Sequence, residues 1–78
     1  MDANLTQYLF NPGSQNHRIL SLLQRGPVTN VELVRDHHIL KYTGRLSDVR
    51  QALRPYGVGI NAERVHGGTF IYSLMGGI

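Results

Sequence analysis

There is no cysteine in this chain of 78 residues, which excludes both a disulfide framework and every thiolate metal site. Long apolar runs are missing as well, and nothing approaches the roughly 18 residues a membrane-spanning helix requires. The opening stretch MDANLTQYLFNPG has Asp2 where a secretory signal would carry a positive charge, and no uninterrupted apolar core follows it. These absences predict a cytoplasmic chain with no membrane contact. Internal repeats, linkers and low-complexity tracts are lacking too, so a single small domain is expected. A chain of this length buries only about 60% of the surface it exposes when unfolded. Its apolar content of 41% is enough for a core and too high for a disordered tail.

Acidic residues are few, and the net charge is +3. That bias is modest, compatible with a polyanionic partner and with many ordinary soluble proteins. Its distribution says more. Residues 41–64 contain Lys41, Arg45, Arg50, Arg54 and Arg64 against Asp48 and Glu63.

Residues 1–13 read as an N-terminal arm, with Leu5, Tyr8, Leu9 and Phe10 followed by the turn chemistry of NPG. Four large apolar residues must pack somewhere, on this chain or on a second copy. A domain is expected over 14–75, with 76–78 as a short tail. Its first helix is QNHRILSLLQR, capped by Ser14 or Asn16, with Ile19, Leu22 and Leu23 as the inward stripe and Gly26-Pro27 as the stop. A second helix of about two and a half turns opens at TNVE. There Thr29 and Glu32 have capping-box spacing, and Val31, Leu33 and Val34 are expected to face the core.

The third helix lies in KYTGRLSDVRQALRPYG. At about 100° per residue, Tyr42, Leu46, Val49 and Leu53 share one narrow face. The opposite pole holds Gly44, Ser47, Asp48 and Gln51 with Lys41 beside them, while Arg45, Arg50 and Arg54 lie on the flanks. Two β-rich runs follow, VGINAERV and TFIYSLM, joined across HGG. Ile60, Ala62 and Arg64 are expected on one side of the first, and Phe70, Tyr72 and Leu74 on one side of the second. Gly67 and Gly68 are expected to supply positive φ for the turn. Three helices closed by a C-terminal β-hairpin predict an α+β winged helix-turn-helix, whose third helix enters the DNA major groove.

The stretches GSQNHRILSLLQRG, VTNVELV and RLSDVR resemble the small winged-helix domains encoded by phages and prophages. Those domains read S-Q-N-x-R-[IV]-L, L-T-x-x-E-A-L and R-[IL]-x-D-[LV]-R in the same order. The resemblance spans roughly residues 11–50 and involves no catalytic element. It implies a phage-related DNA-binding protein and says little about which DNA. Two departures stand out. His38 occupies the turn position where such domains usually have glycine, a place histidine tolerates better than most residues. The third helix also runs about one turn longer before its glycine.

Each candidate has a plainer reading beside it. The third helix can be an ordinary solvated helix, with Arg45 and Asp48 as an i,i+3 pair contributing about 0.2–0.5 kcal/mol. Gly44 costs a helix about 0.8–1 kcal/mol relative to alanine, so it marks either close approach to DNA or a helix start capped by Thr43. If the helix meets DNA, Gln51 can pair with adenine N6 and N7, and Ser47 with a base edge or phosphate. Lys41, Thr43, Arg50 and Arg54 then serve as phosphate anchors. Arg45 either reads guanine or stays with Asp48. Arg64 and His66, at the hairpin tip, either reach a narrow minor groove or simply face solvent.

His37 and His38 diverge on a helix, and His17 and His66 have no partner ligands at suitable spacing, so no metal or other cofactor is expected. GVGINA formally fits a dinucleotide fingerprint, but it lacks the strand before and the helix after that the motif needs. Nor does a nucleophile elbow surround Ser47, so an enzyme is not expected. The sequence therefore predicts a double-stranded DNA binder, acting as a phage-type transcriptional regulator or a recombination and architecture factor. A domain this small is expected to work as a homodimer or cooperative array through Leu5, Tyr8, Leu9 and Phe10. The alternative is a winged-helix module that docks on a host or phage protein.

Overall fold

The computed structural model describes Thr6 and residues 8–76. Among these, the architecture is α+β, with three helices and a three-stranded antiparallel sheet. Helix α1 spans Gln15–Arg25; the Ser14 hydroxyl accepts the His17 amide at 3.1 Å, satisfying one of the free N–H groups at the helix start. Ile19, Leu20 and Leu23 are buried and Leu22 is only half-buried. The inward face is thus turned by part of a residue step from the expected stripe.

After Gly26 and Pro27 the chain makes a two-residue strand, β1 (Val28–Thr29), and enters α2 (Asn30–Arg35). The capping box forms: the Thr29 hydroxyl accepts from the Glu32 amide at 3.1 Å, and Glu32 Oε1 accepts the Thr29 amide at 3.0 Å. At six residues, α2 is shorter than expected, and only one stripe of it can face inward. Leu33 is fully buried and Val34 half-buried. Val31 is 40% exposed, contrary to its expected place in the core. Two residues span about 200° on a helix, so Val31 and Leu33 cannot both point inward.

His38 turns the chain with φ 57. The His38 and Ile39 amides reach back to the carbonyls of Val34 (3.1 Å) and Leu33 (2.8 Å). Helix α3 spans Tyr42–Leu53 and buries Leu46, Val49 and Leu53, with Tyr42 packed at the margin of the core. It continues into a 3₁₀ turn, Arg54–Tyr56, with Pro55 where no amide donor is needed.

Strands β2 (Val58–His66) and β3 (Thr69–Gly76) form the hairpin, and β1 pairs on the other edge of β3, giving the order β1–β3–β2. Ile60 faces Leu74, Ala62 faces Tyr72 and Arg64 faces Phe70, so the expected sides do lie opposite one another. Only Val58, Ile60 and Tyr72 of the hairpin are buried, while Ala62 is exposed. The far half of the hairpin therefore projects away from the core. At its tip, Gly67 takes φ 51 whereas Gly68 does not adopt positive φ. A register shift between Arg64 and His66 supplies the remaining curvature.

The described residues of the arm pack on their own domain. The Thr6 hydroxyl lies 2.7 Å from Gln24 Oε1, the Phe10 amide donates to the Thr6 carbonyl at 3.0 Å, and Leu9 and Phe10 pack on the core. Leu5 lies outside the described residues. No helix among the described residues is long and apolar enough to cross a membrane.

Candidate nucleic-acid interface

Because Leu46, Val49 and Leu53 commit one face of α3 to the core, the opposite face is left to solvent. Gly44, Ser47, Asp48 and Gln51 are all exposed there, as are Lys41 and Thr43 at the helix start. The helix begins at Tyr42, with Lys41 preceding it and no side-chain cap, so Thr43 is not the capping residue. Gly44 falls in the first turn, and a Cβ added there would meet nothing within 4 Å. No intramolecular packing requires glycine at this position.

The basic residues divide into committed and free. Arg45 is half-buried; its Nε donates to Gln15 Oε1 at 3.2 Å and its guanidinium stands 3.7 Å from the Asp48 carboxylate. It thereby links α3 to the start of α1, and Asp48 is turned to Arg45 along the helix. Arg64 folds over the hairpin tip, its Nε donating to the Gly67 carbonyl at 2.9 Å. His66 is exposed beside it.

Arg50 and Arg54 sit together at the far end of α3, lining an open groove of about 460 Å³ whose other wall is Val58, Gly59, Ile60 and Met75. Arg54 is exposed and Arg50 half-buried. The Arg50 charge also reaches Tyr72, whose hydroxyl ionises less readily than an ordinary tyrosine; burial is the main cause and Tyr42 adds to it, while Arg50 acts in the opposite sense. The Tyr42 and Tyr72 rings are tilted at 54° with centroids 6.5 Å apart.

Two features escaped the sequence reading. Asn30, the first residue of α2, donates to the Gly68 carbonyl at 2.9 Å and accepts the Phe70 amide at 3.0 Å, fastening the hairpin to the helical layer. Its Nδ2 is also 3.4 Å from the Tyr42 hydroxyl. Leu40, next to Lys41, is 74% exposed. Asn30 carried no signal beyond its place after a cap; Leu40 is an aliphatic residue just outside a helical stripe, where projection gives no orientation. Among the described residues, no three His, Asp or Glu side chains gather where a metal could bind. Compared with family models, curated proteins and solved structures, the chain matches none.

Proposed function

We propose that this chain is a winged-helix protein that binds double-stranded DNA with sequence preference, α3 lying in the major groove and the β2–β3 hairpin serving as the wing. The observation that carries this reading is the outer face of α3. It is polar and open, it contains a glycine that packing does not need, and it is bordered by the exposed cations Lys41 and Arg54. A helix meant only to be solvated gains nothing from Gly44, whereas a helix seated in a groove gains close approach.

Within this reading, Gln51 and Ser47 address base edges. Lys41, Thr43, Arg50 and Arg54 hold phosphates and release counterions. Arg45 and Asp48 hold α3 against α1 rather than reading a base. The wing brings Arg64 and His66 to the flanking backbone or minor groove. The resemblance to phage and prophage domains supports a role as a transcriptional regulator or a recombination factor. Leu9 and Phe10 are occupied in their own domain, so among the described residues of the arm a contact between two copies falls to Tyr8, 78% exposed.

Selection from a pool of randomised duplex DNA at about 50 and 200 mM salt tests the reading. A recovered motif supports it. Salt-sensitive retention without a motif reduces the chain to a non-specific DNA binder, and no retention at either salt points to a protein partner instead.

A further inference from the structure

The groove beside the C-terminal end of α3 has two unlike walls. Arg50 and Arg54 form one, about a helical turn apart, and Val58, Gly59, Ile60 and Met75 line the other, around about 460 Å³ of open space. The ion pairs among the described residues are Arg35–Asp36 and Arg45–Asp48, so neither groove arginine is paired with one of their carboxylates. Val58 and Ile60 are nearly buried, whereas Met75 is 55% exposed. Gly59 is the unexpected member. It lies inside β2 and its φ is not positive. The ladder with β3 is regular from Val58 to Arg64, so no bulge requires glycine there. A Cβ placed on it would meet only Met75 Cγ, at an ordinary 3.6 Å. Glycine inside a strand weakens it and marks places where a ligand or another backbone comes close.

We propose that this groove binds an extended acidic–aliphatic segment of a partner protein, with carboxylates on Arg50 and Arg54 and an aliphatic side chain over Gly59. Charge sets the acidic half, because two guanidiniums without carboxylates among the described residues favour an anionic occupant. The apolar wall sets the other half. An aliphatic side chain laid on Val58, Ile60 and Met75 removes their remaining surface from water, and the flexible thioether of Met75 can follow its outline. Openness favours a peptide over a small molecule, since small-ligand sites enclose about 70–90% of the ligand surface. Strand β2 is also an outer strand of the sheet, and edge strands accept extended segments by backbone pairing. The proposal does not depend on the DNA reading, but Arg50 and Arg54 serve both. A chain holding the peptide therefore has two fewer phosphate anchors.

The test pans a displayed library of random linear peptides against the full chain, then measures the recovered sequences in solution as synthetic peptides. The expected sequences place aspartate or glutamate next to leucine, isoleucine, valine or methionine. Arg50→Gln and Arg54→Gln should each weaken their binding about tenfold, the loss of one charge-assisted hydrogen bond. Gly59→Val should remove binding altogether and leave the melting temperature no lower, since valine suits a strand. Replacing the peptide's aliphatic residue by serine should weaken binding as well. Acidic peptides that bind Gly59→Val protein as tightly as the unaltered chain are held by charge alone and overturn the groove assignment. Recovery of peptides without acidic residues, or of none, overturns it too. Every one of these outcomes is read without DNA, so duplex binding is judged separately.

Discussion

The amide of Phe70 donates to the side-chain oxygen of Asn30 at 3.0 Å, so the turn end of the hairpin's second strand hangs from the first residue of α2. The same side chain donates to the Gly68 carbonyl at 2.9 Å. One amide group therefore serves the Phe70 donor and the Gly68 acceptor at the hairpin tip and ties that tip to α2.

Asn30→Ala is expected to free the tip without unfolding the core. Both bonds are solvent-facing, so their loss costs about 1 kcal/mol in total. Amide exchange at Phe70 should accelerate, while that of Leu46 and Val49 should change only as far as the global stability falls. Unchanged protection at Phe70 would show that Asn30 does not hold the hairpin.

The two faces of α3 give a paired prediction. Leu46 is 1% exposed, and Leu46→Ala should destabilise the fold by roughly 2–5 kcal/mol through lost burial and a residual cavity. Gln51 is exposed on the other face, and Gln51→Ala should leave the melting temperature nearly unchanged while relaxing selectivity at one base pair. If Gln51→Ala unfolded the protein, the assignment of faces would be wrong.

Tyr72 predicts an alkaline limit. Burial raises the ionisation of its hydroxyl above the ordinary tyrosine value near 10, so the folded state holds that proton more tightly than the unfolded chain does. The resulting stability is present below the unfolded value and is lost as pH climbs through the folded one. Denaturation midpoints should therefore fall in that alkaline window, and Tyr72→Phe should flatten the fall. An identical decline in both proteins would assign it to other groups.

Much of this architecture is written in local signals. Ser14 and the Thr29–Glu32 box mark their helix starts by side-chain chemistry that acts within three residues, and the spacing of Leu46, Val49 and Leu53 marks the buried face of α3. Strand β1 is not legible in the same way: Val28 and Thr29 are too few to alternate, and their pairing is with Tyr72 and Ile71 at the other end of the chain. Val31 lies outward against expectation because apolar character alone cannot show which stripe of a six-residue helix is inward. The polar pole of α3 could be read by projection. The commitments of Arg45 to Gln15 and of Arg64 to Gly67 could not, because they depend on where α1 and the hairpin tip come to lie.

A surface that grips phosphates must lose affinity as salt rises, and titration of duplex binding against salt reads that loss. Lys41, Arg50, Arg54 and Arg64 each displacing counterions predict a plot of log affinity against log salt with a slope of about −3 to −4 per chain, and Arg54→Gln should reduce its steepness by about 1. A slope near zero, unchanged by Arg54→Gln, would show that these side chains hold no phosphates.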